Sequence, residues 1–162
     1  MTTLAGARDG ARKRAAFDGR PVAIYNDAKC PAWKAGSFYI DEPGKPGEVE
    51  IIQPPTLINA TDTAVQNLLF DWHEAGRAAF QDQFKNLDYD SDAYRKFARE
   101  RRRYICLDEG NGGAYILDRL DGMIYRIKSK YGVPQFRLLM GHLGEVTGQM
   151  LNCHRWANLR RA

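Results

Sequence analysis

Between Tyr104 and Tyr131 the chain reads YICLDEGNGGAYILDRLDGMIYRIKSKY, three short apolar runs separated by two turn signals. The first break, Asp108-Glu109-Gly110-Asn111-Gly112-Gly113, is rich in residues that tolerate positive φ, so the chain reverses there at little cost. The second contains Asp121-Gly122, a dipeptide suited to tight hairpin turns. This punctuation rules out one continuous helix and predicts a meander of antiparallel strands over residues 104–107, 114–117 and 123–130. In the third strand, period-two alternation puts Met123, Tyr125 and Ile127 on one face. Ile124, Arg126, Lys128 and Lys130 fall on the other. The expectation is that the first set covers a core and the cations meet solvent.

A long helix is predicted over residues 61–84. Val65, Leu68, Leu69, Trp72, Gly76, Ala79, Phe80 and Phe84 recur at i, i+3, i+4 and i+7 and draw one apolar stripe. Thr63 and Gln66 have capping-box spacing, and Asp62 suits the positive end of the helix. Gly76 costs about 1 kcal/mol relative to alanine and invites close approach of another element. A second helix is expected over 92–102, with Tyr94, Phe97 and Ala98 as its apolar side. Arg101, Arg102 and Arg103 then close it, either complementing its dipole or binding an anion.

Residues 21–25, 37–40 and 48–52 read as strands, with the Pro-Gly loop 41–47 between the last two. The fold class expected is therefore α+β. One antiparallel sheet, built from the N-terminal strands plus the 104–130 meander, packs against the long central helix. The helix stripe is expected to bury Met123, Tyr125, Ile127, Ile116 and Tyr104. Residues 1–20 read as a basic arm, mobile or in a short frayed helix, and 21–162 as a single domain. Beyond the meander, 136–140 is a further apolar run, and 149–160 has weakly helical spacing.

Several function classes find no purchase. With 162 residues and 44% hydrophobic content the chain can bury a core without staples. It has no apolar run of the roughly 18 residues a membrane span needs. Its first residues lack the apolar stretch of a secretory signal, so a cytoplasmic location is expected. Cys30, Cys106 and Cys153 form no even framework and are expected as free thiols. Gly110–Gly113 fits neither phosphate-binding glycine pattern and leads into a strand. His73-Glu74 begins like a zinc-protease helix, but Arg77 stands where the second histidine belongs. His142, Cys153 and His154 match no zinc module. No metal, cofactor or catalytic residue is assigned. A metal-independent hydrolase would need His73 and His154 to converge within hydrogen-bond reach.

Charge supplies the remaining signal. Residues 100–162 carry 11 Lys/Arg against 6 Asp/Glu, a net of +5 in a chain whose formal charge is +4. Such asymmetry points to a polyanionic partner. Arg126, Lys128 and Lys130, with Arg119 and Arg137 beyond them, form the candidate binding face, and Tyr131 and Trp156 interleave aromatics among the cations. Cations with stacking surfaces suit nucleic acid; a solvated strand face is the competing interpretation. The expected function is a small accessory or regulatory protein docking on nucleic acid or a nucleoprotein complex. The alternatives are an inhibitor or adaptor that binds a host protein, with Trp33 or Trp156 in its hot spot, and the hydrolase above. The run 121–134, followed by Arg155-Trp156, resembles small phage or mobile-element proteins. That resemblance implies a viral or mobile-element origin and assigns no chemistry.

Overall fold

A computed structural model of the chain describes residues 3–26, 38–81, 89–110, 112–130 and 133–156, with side chains described for all of these except 113, 128–130, 133–137 and 153–156. The α+β character and the antiparallel pairing are as the sequence predicts. The strands, however, divide between two sheets, one of three strands and one of five. Two compact units result, residues 1–57 and 58–162, each with its own sheet.

In the first unit helix α1 (Leu4–Asp18) precedes β1 (Val22–Asn26), β2 (Phe38–Asp41) and β3 (Glu48–Ile52), which pair in the order β2-β1-β3. Of the two readings of residues 1–20, a mobile arm or a short frayed helix, the structure has a helix over Leu4–Asp18. Thr3 caps it by accepting the Gly6 amide at 3.1 Å, and Gly19, at φ 67°, ends it. Ala7, Ala11 and Ala15, spaced by four, are buried against Val22 and Ile24. Small side chains let a helix lie close to a sheet, and alanine is the best helix former. The cations point elsewhere: Arg8 pairs with Glu50, Lys13 with Asp9 and Arg14 with Asp18. The low volume of its alanines hides this packing stripe from a reading of hydrophobic period.

The second unit holds α2 (Thr63–Gln81), the strands β4 (Lys96–Glu100), β5 (Tyr104–Glu109), β6 (Gly112–Asp118), β7 (Met123–Lys130) and β8 (Val133–His142), then α3 (Gly148–Trp156). The strands form one up-and-down sheet in sequence order. The predicted meander is its centre, and Gly122, at φ 74°, makes the predicted hairpin turn. The helix expected over 92–102 is instead β4, an edge strand paired with β5. Its run Lys96-Phe97-Ala98-Arg99-Glu100 alternates, and cations on an edge discourage pairing with other chains.

Which face is buried reverses the expectation. Cross-strand neighbours share a face, so register decides. Ala98, Leu107, Tyr115, Arg126 and Leu138 form one row, and Glu100, Ile105, Leu117, Ile124 and Gly141 the next. Ile105, Leu107, Tyr115, Leu117 and Ile124 from these rows pack with Val65, Leu68, Leu69 and Trp72 of α2 and Leu151 of α3. Met123, Tyr125, Ile116 and Tyr104, assigned to the core from sequence, lie on the opposite face. A one-residue choice of face flips every side chain. Strands β5 and β6 carry apolar residues on both sides, and the helices cover the side with Ile105, Leu107, Tyr115 and Leu117, while Ile116 on the other side is also buried.

The α2 stripe itself is as predicted, with Val65, Leu68, Leu69, Trp72, Gly76 and Phe80 buried. A Cβ on Gly76 would collide with the Tyr89 hydroxyl, and one on Gly148 with the backbone of Asp71 and Trp72. Gly76 admits a ring and Gly148 admits a helix. The capping box does not form. Asp62 accepts the amides of Val65 and Gln66 through its carbonyl, while the Gln66 side chain donates to the Ala60 carbonyl at 2.7 Å. Among the described residues no helix is long and apolar enough to cross a membrane.

Candidate nucleic-acid interface

The connection between β4 and β5 is Arg101-Arg102-Arg103, closed by the Arg101 amide donating to the Tyr104 carbonyl at 2.7 Å. All three arginines are exposed. The reason lies in Arg119, which follows β6. Its Nη1 donates to the carbonyls of Arg101 and Arg102 at 2.9 and 3.2 Å, and its own amide donates to the carbonyl of Arg103 at 3.1 Å. With the turn's three carbonyls held from within, its side chains are left to point outward.

Arg119 was expected on the binding surface, and the structure places it in the interior. It is 9% exposed. Besides the two carbonyls, Nε donates to Ile58 at 2.8 Å and Nη2 to Asn59 Oδ1 at 3.0 Å, while Glu100 Oε1 stands at 2.9 Å. A guanidinium has five N–H groups in a fixed fork. Here Nε, Nη1 and Nη2 all donate, making four hydrogen bonds, and Glu100 adds an ion pair. Arg119 is a clamp that ties the 58–60 segment to the arginine turn.

Lys96, on the helix-covered face, is also held. Its side chain is 2% exposed, and its ammonium donates to Glu109 at 2.6 Å, the Tyr89 hydroxyl at 3.1 Å and the Tyr94 carbonyl at 3.1 Å. It lies 5.0 Å from the Trp72 ring centroid and 5.3 Å from that of Tyr89. Burying a charge demands this degree of compensation. Tyr115 meets Trp72 edge-on and donates its hydroxyl to the Leu151 carbonyl at 2.5 Å. Arg126 belongs to the same face, opposite Tyr115 and Leu138, and is half-buried.

The other face of the sheet carries Arg99, Cys106, Ile116, Tyr125 and Leu139 in one row, with Phe97 beside Asp108 and Tyr104 beside Asp118 in the flanking rows. Arg99 is 52% exposed, and its Nε donates to the buried Asp108 carboxylate at 2.5 Å. That bond, and then the charge of Asp108, raises the affinity of Arg99 for its proton. Among the described residues the terminal nitrogens of Arg99 make no hydrogen bond. Its guanidinium carbon lies 6.0 Å from the Phe97 ring centroid. Arg103 repeats the pattern, 5.0 Å from the Tyr104 ring with Nη2 3.4 Å from Asp118. Burial pushes the Tyr104 phenol above its ordinary range, with Arg103 pulling the other way.

Of the other residues expected in the site, Lys128 and Lys130 occupy β7 opposite Gln135 and Val133, and Arg137 lies in β8. Trp156 ends α3. The side chains of these four, and Tyr131, Trp33 and the His154 side chain, lie outside the described residues. His73 Nε2 lies 3.4 Å from Asp90, which also binds Arg77 at 2.6 Å. His142 accepts the Gly144 amide at 3.2 Å within a turn. Sequence reasoning missed Phe97, Arg99 and Tyr104 as surface residues. The signal was present in the alternating run 96–100, which was read with helical period.

Comparison with protein-family models, curated proteins and solved structures finds no match.

Proposed function

We propose that this chain is a non-enzymatic accessory protein that docks on nucleic acid, free or within a nucleoprotein complex. The contact surface is the arginine-rich side of the five-stranded sheet. The observation that carries this reading is the Arg101–Arg103 turn, whose carbonyls are bound from inside by Arg119 and whose guanidiniums are exposed. Arg95, Arg99 and Arg101–Arg103 are all exposed, and Arg99 extends the cationic edge along β4. Guanidinium forks match phosphate oxygens two at a time. The face differs from the one expected from β7, while the partner class is unchanged.

Fluorescence anisotropy with a labelled mixed-sequence oligonucleotide tests it. If three phosphates are contacted, affinity falls roughly 20- to 40-fold between about 50 and 200 mM salt. The variant Arg101→Ala/Arg102→Ala/Arg103→Ala binds weakly and loses most of that dependence. Salt-insensitive binding, or none at low salt, overturns the reading.

A further inference from the structure

The nucleic-acid reading leaves open which form of nucleic acid is bound, and the same face narrows it. Phe97, Tyr104 and Tyr125 share the side of the sheet that carries Arg99, and all three residues are half-buried. Both helices of this unit pack on the other side. Tyr104 and Tyr125 stand on strands separated only by β6, roughly 10 Å apart by strand spacing, and the Tyr125 phenol acts electrostatically on that of Tyr104. Arg103 and Arg99 lie against the Tyr104 and Phe97 rings.

A duplex keeps its base faces stacked inside and shows a protein only phosphates and groove edges. Groove edges are read by an element that protrudes, a helix or a two-stranded ribbon. Half-exposed rings on a broad sheet face have nothing to stack on there. Unpaired bases present π faces, which aromatic rings and guanidinium planes both take up. Cations along the β4 edge then follow the backbone while the rings accept bases.

We infer that the ligand of this face is single-stranded nucleic acid, held by base stacking on Tyr104 and its neighbours Phe97 and Tyr125 and by phosphate contacts to the arginine edge. The inference rests on the proposed function and adds the strandedness. The test measures binding to oligothymidylate, oligouridylate and a mixed-sequence duplex, each of about 12 residues per strand, at one salt concentration. Both single strands are expected to bind at least about 10-fold tighter than the duplex. Tyr104→Ala weakens single-strand binding roughly 10- to 100-fold and leaves duplex binding within about two-fold, while Tyr104→Trp retains it. The ratio of the two single-strand affinities shows whether RNA or DNA is preferred, and either preference is consistent with the inference. If Tyr104→Ala fails to fold by circular dichroism, Tyr125→Ala takes its place with the same expectation. Duplex binding as tight as single-strand binding overturns the inference and leaves the nucleic-acid reading standing. So does a silent substitution of the folded tyrosine variant. No binding to any of the three probes overturns the nucleic-acid reading itself.

Discussion

Arg119 and the arginines of the 101–103 turn lie within hydrogen-bond distance of one another's backbone, yet they have opposite roles. Arg119 is buried among partners, with hydrogen bonds to the carbonyls of Ile58, Arg101 and Arg102 and to Asn59 Oδ1, and an ion pair with Glu100. Arg101, Arg102 and Arg103 give their carbonyls to Arg119 and are themselves exposed, Arg103 lying against the Tyr104 ring and Asp118. The same residue type is a structural clamp on one side of the contact and a contact surface on the other. Burial, and not charge, separates the two: Arg119 is 9% exposed, whereas the turn arginines are exposed.

The largest expected effect tests the clamp. Arg119→Ala leaves carbonyls and Glu100 without their partner and is expected to cost about 3–5 kcal/mol in urea denaturation. Arg119→Lys recovers less than half of that, because one ammonium cannot span the fork's acceptors. A loss below about 1 kcal/mol would erase the distinction drawn here. The buried cation of the helix-covered face sharpens the comparison. Lys96→Ala strands Glu109 beneath Trp72 and Tyr89 and is expected to cost about 3 kcal/mol, whereas Lys96→Met with Glu109→Leu stays near the parental stability. By contrast, Arg101→Ala at the exposed turn changes stability by no more than about 0.5 kcal/mol while lowering nucleic-acid affinity.

Much of the fold was legible in the chain. The meander, the α2 stripe and β3 lie where hydrophobic period and turn residues put them, because those signals are local. The orientation of β7 was not legible. Its own alternation favours Met123, Tyr125 and Ile127 inward, but Ile124 was drawn inside by its cross-strand neighbours Leu117 and Ile105, a non-local effect. Strand β4 was misread for a related reason. Tyr94, Phe97 and Ala98 satisfy a helical spacing over one turn, and only pairing with β5 reveals that Lys96 and Ala98 share one side. The candidate site shifted with both errors: Arg126 moved to the helix-covered face, Arg119 to the interior, and Arg99, Phe97 and Tyr104 onto the surface. Charge asymmetry marks the basic half of the chain, and sheet register sets which of its cations are exposed.

Arginine modification with phenylglyoxal, read by mass spectrometry with and without a saturating single-stranded oligonucleotide, addresses the assignment residue by residue. Arg101, Arg102 and Arg103 are expected to react in the free protein and to be protected by the oligonucleotide. Arg119 is expected to stay unreactive in both states, and Arg126 to be indifferent to the ligand. Protection of Arg126 with Arg101–Arg103 still reactive would show that the opposite side of the sheet makes the contact.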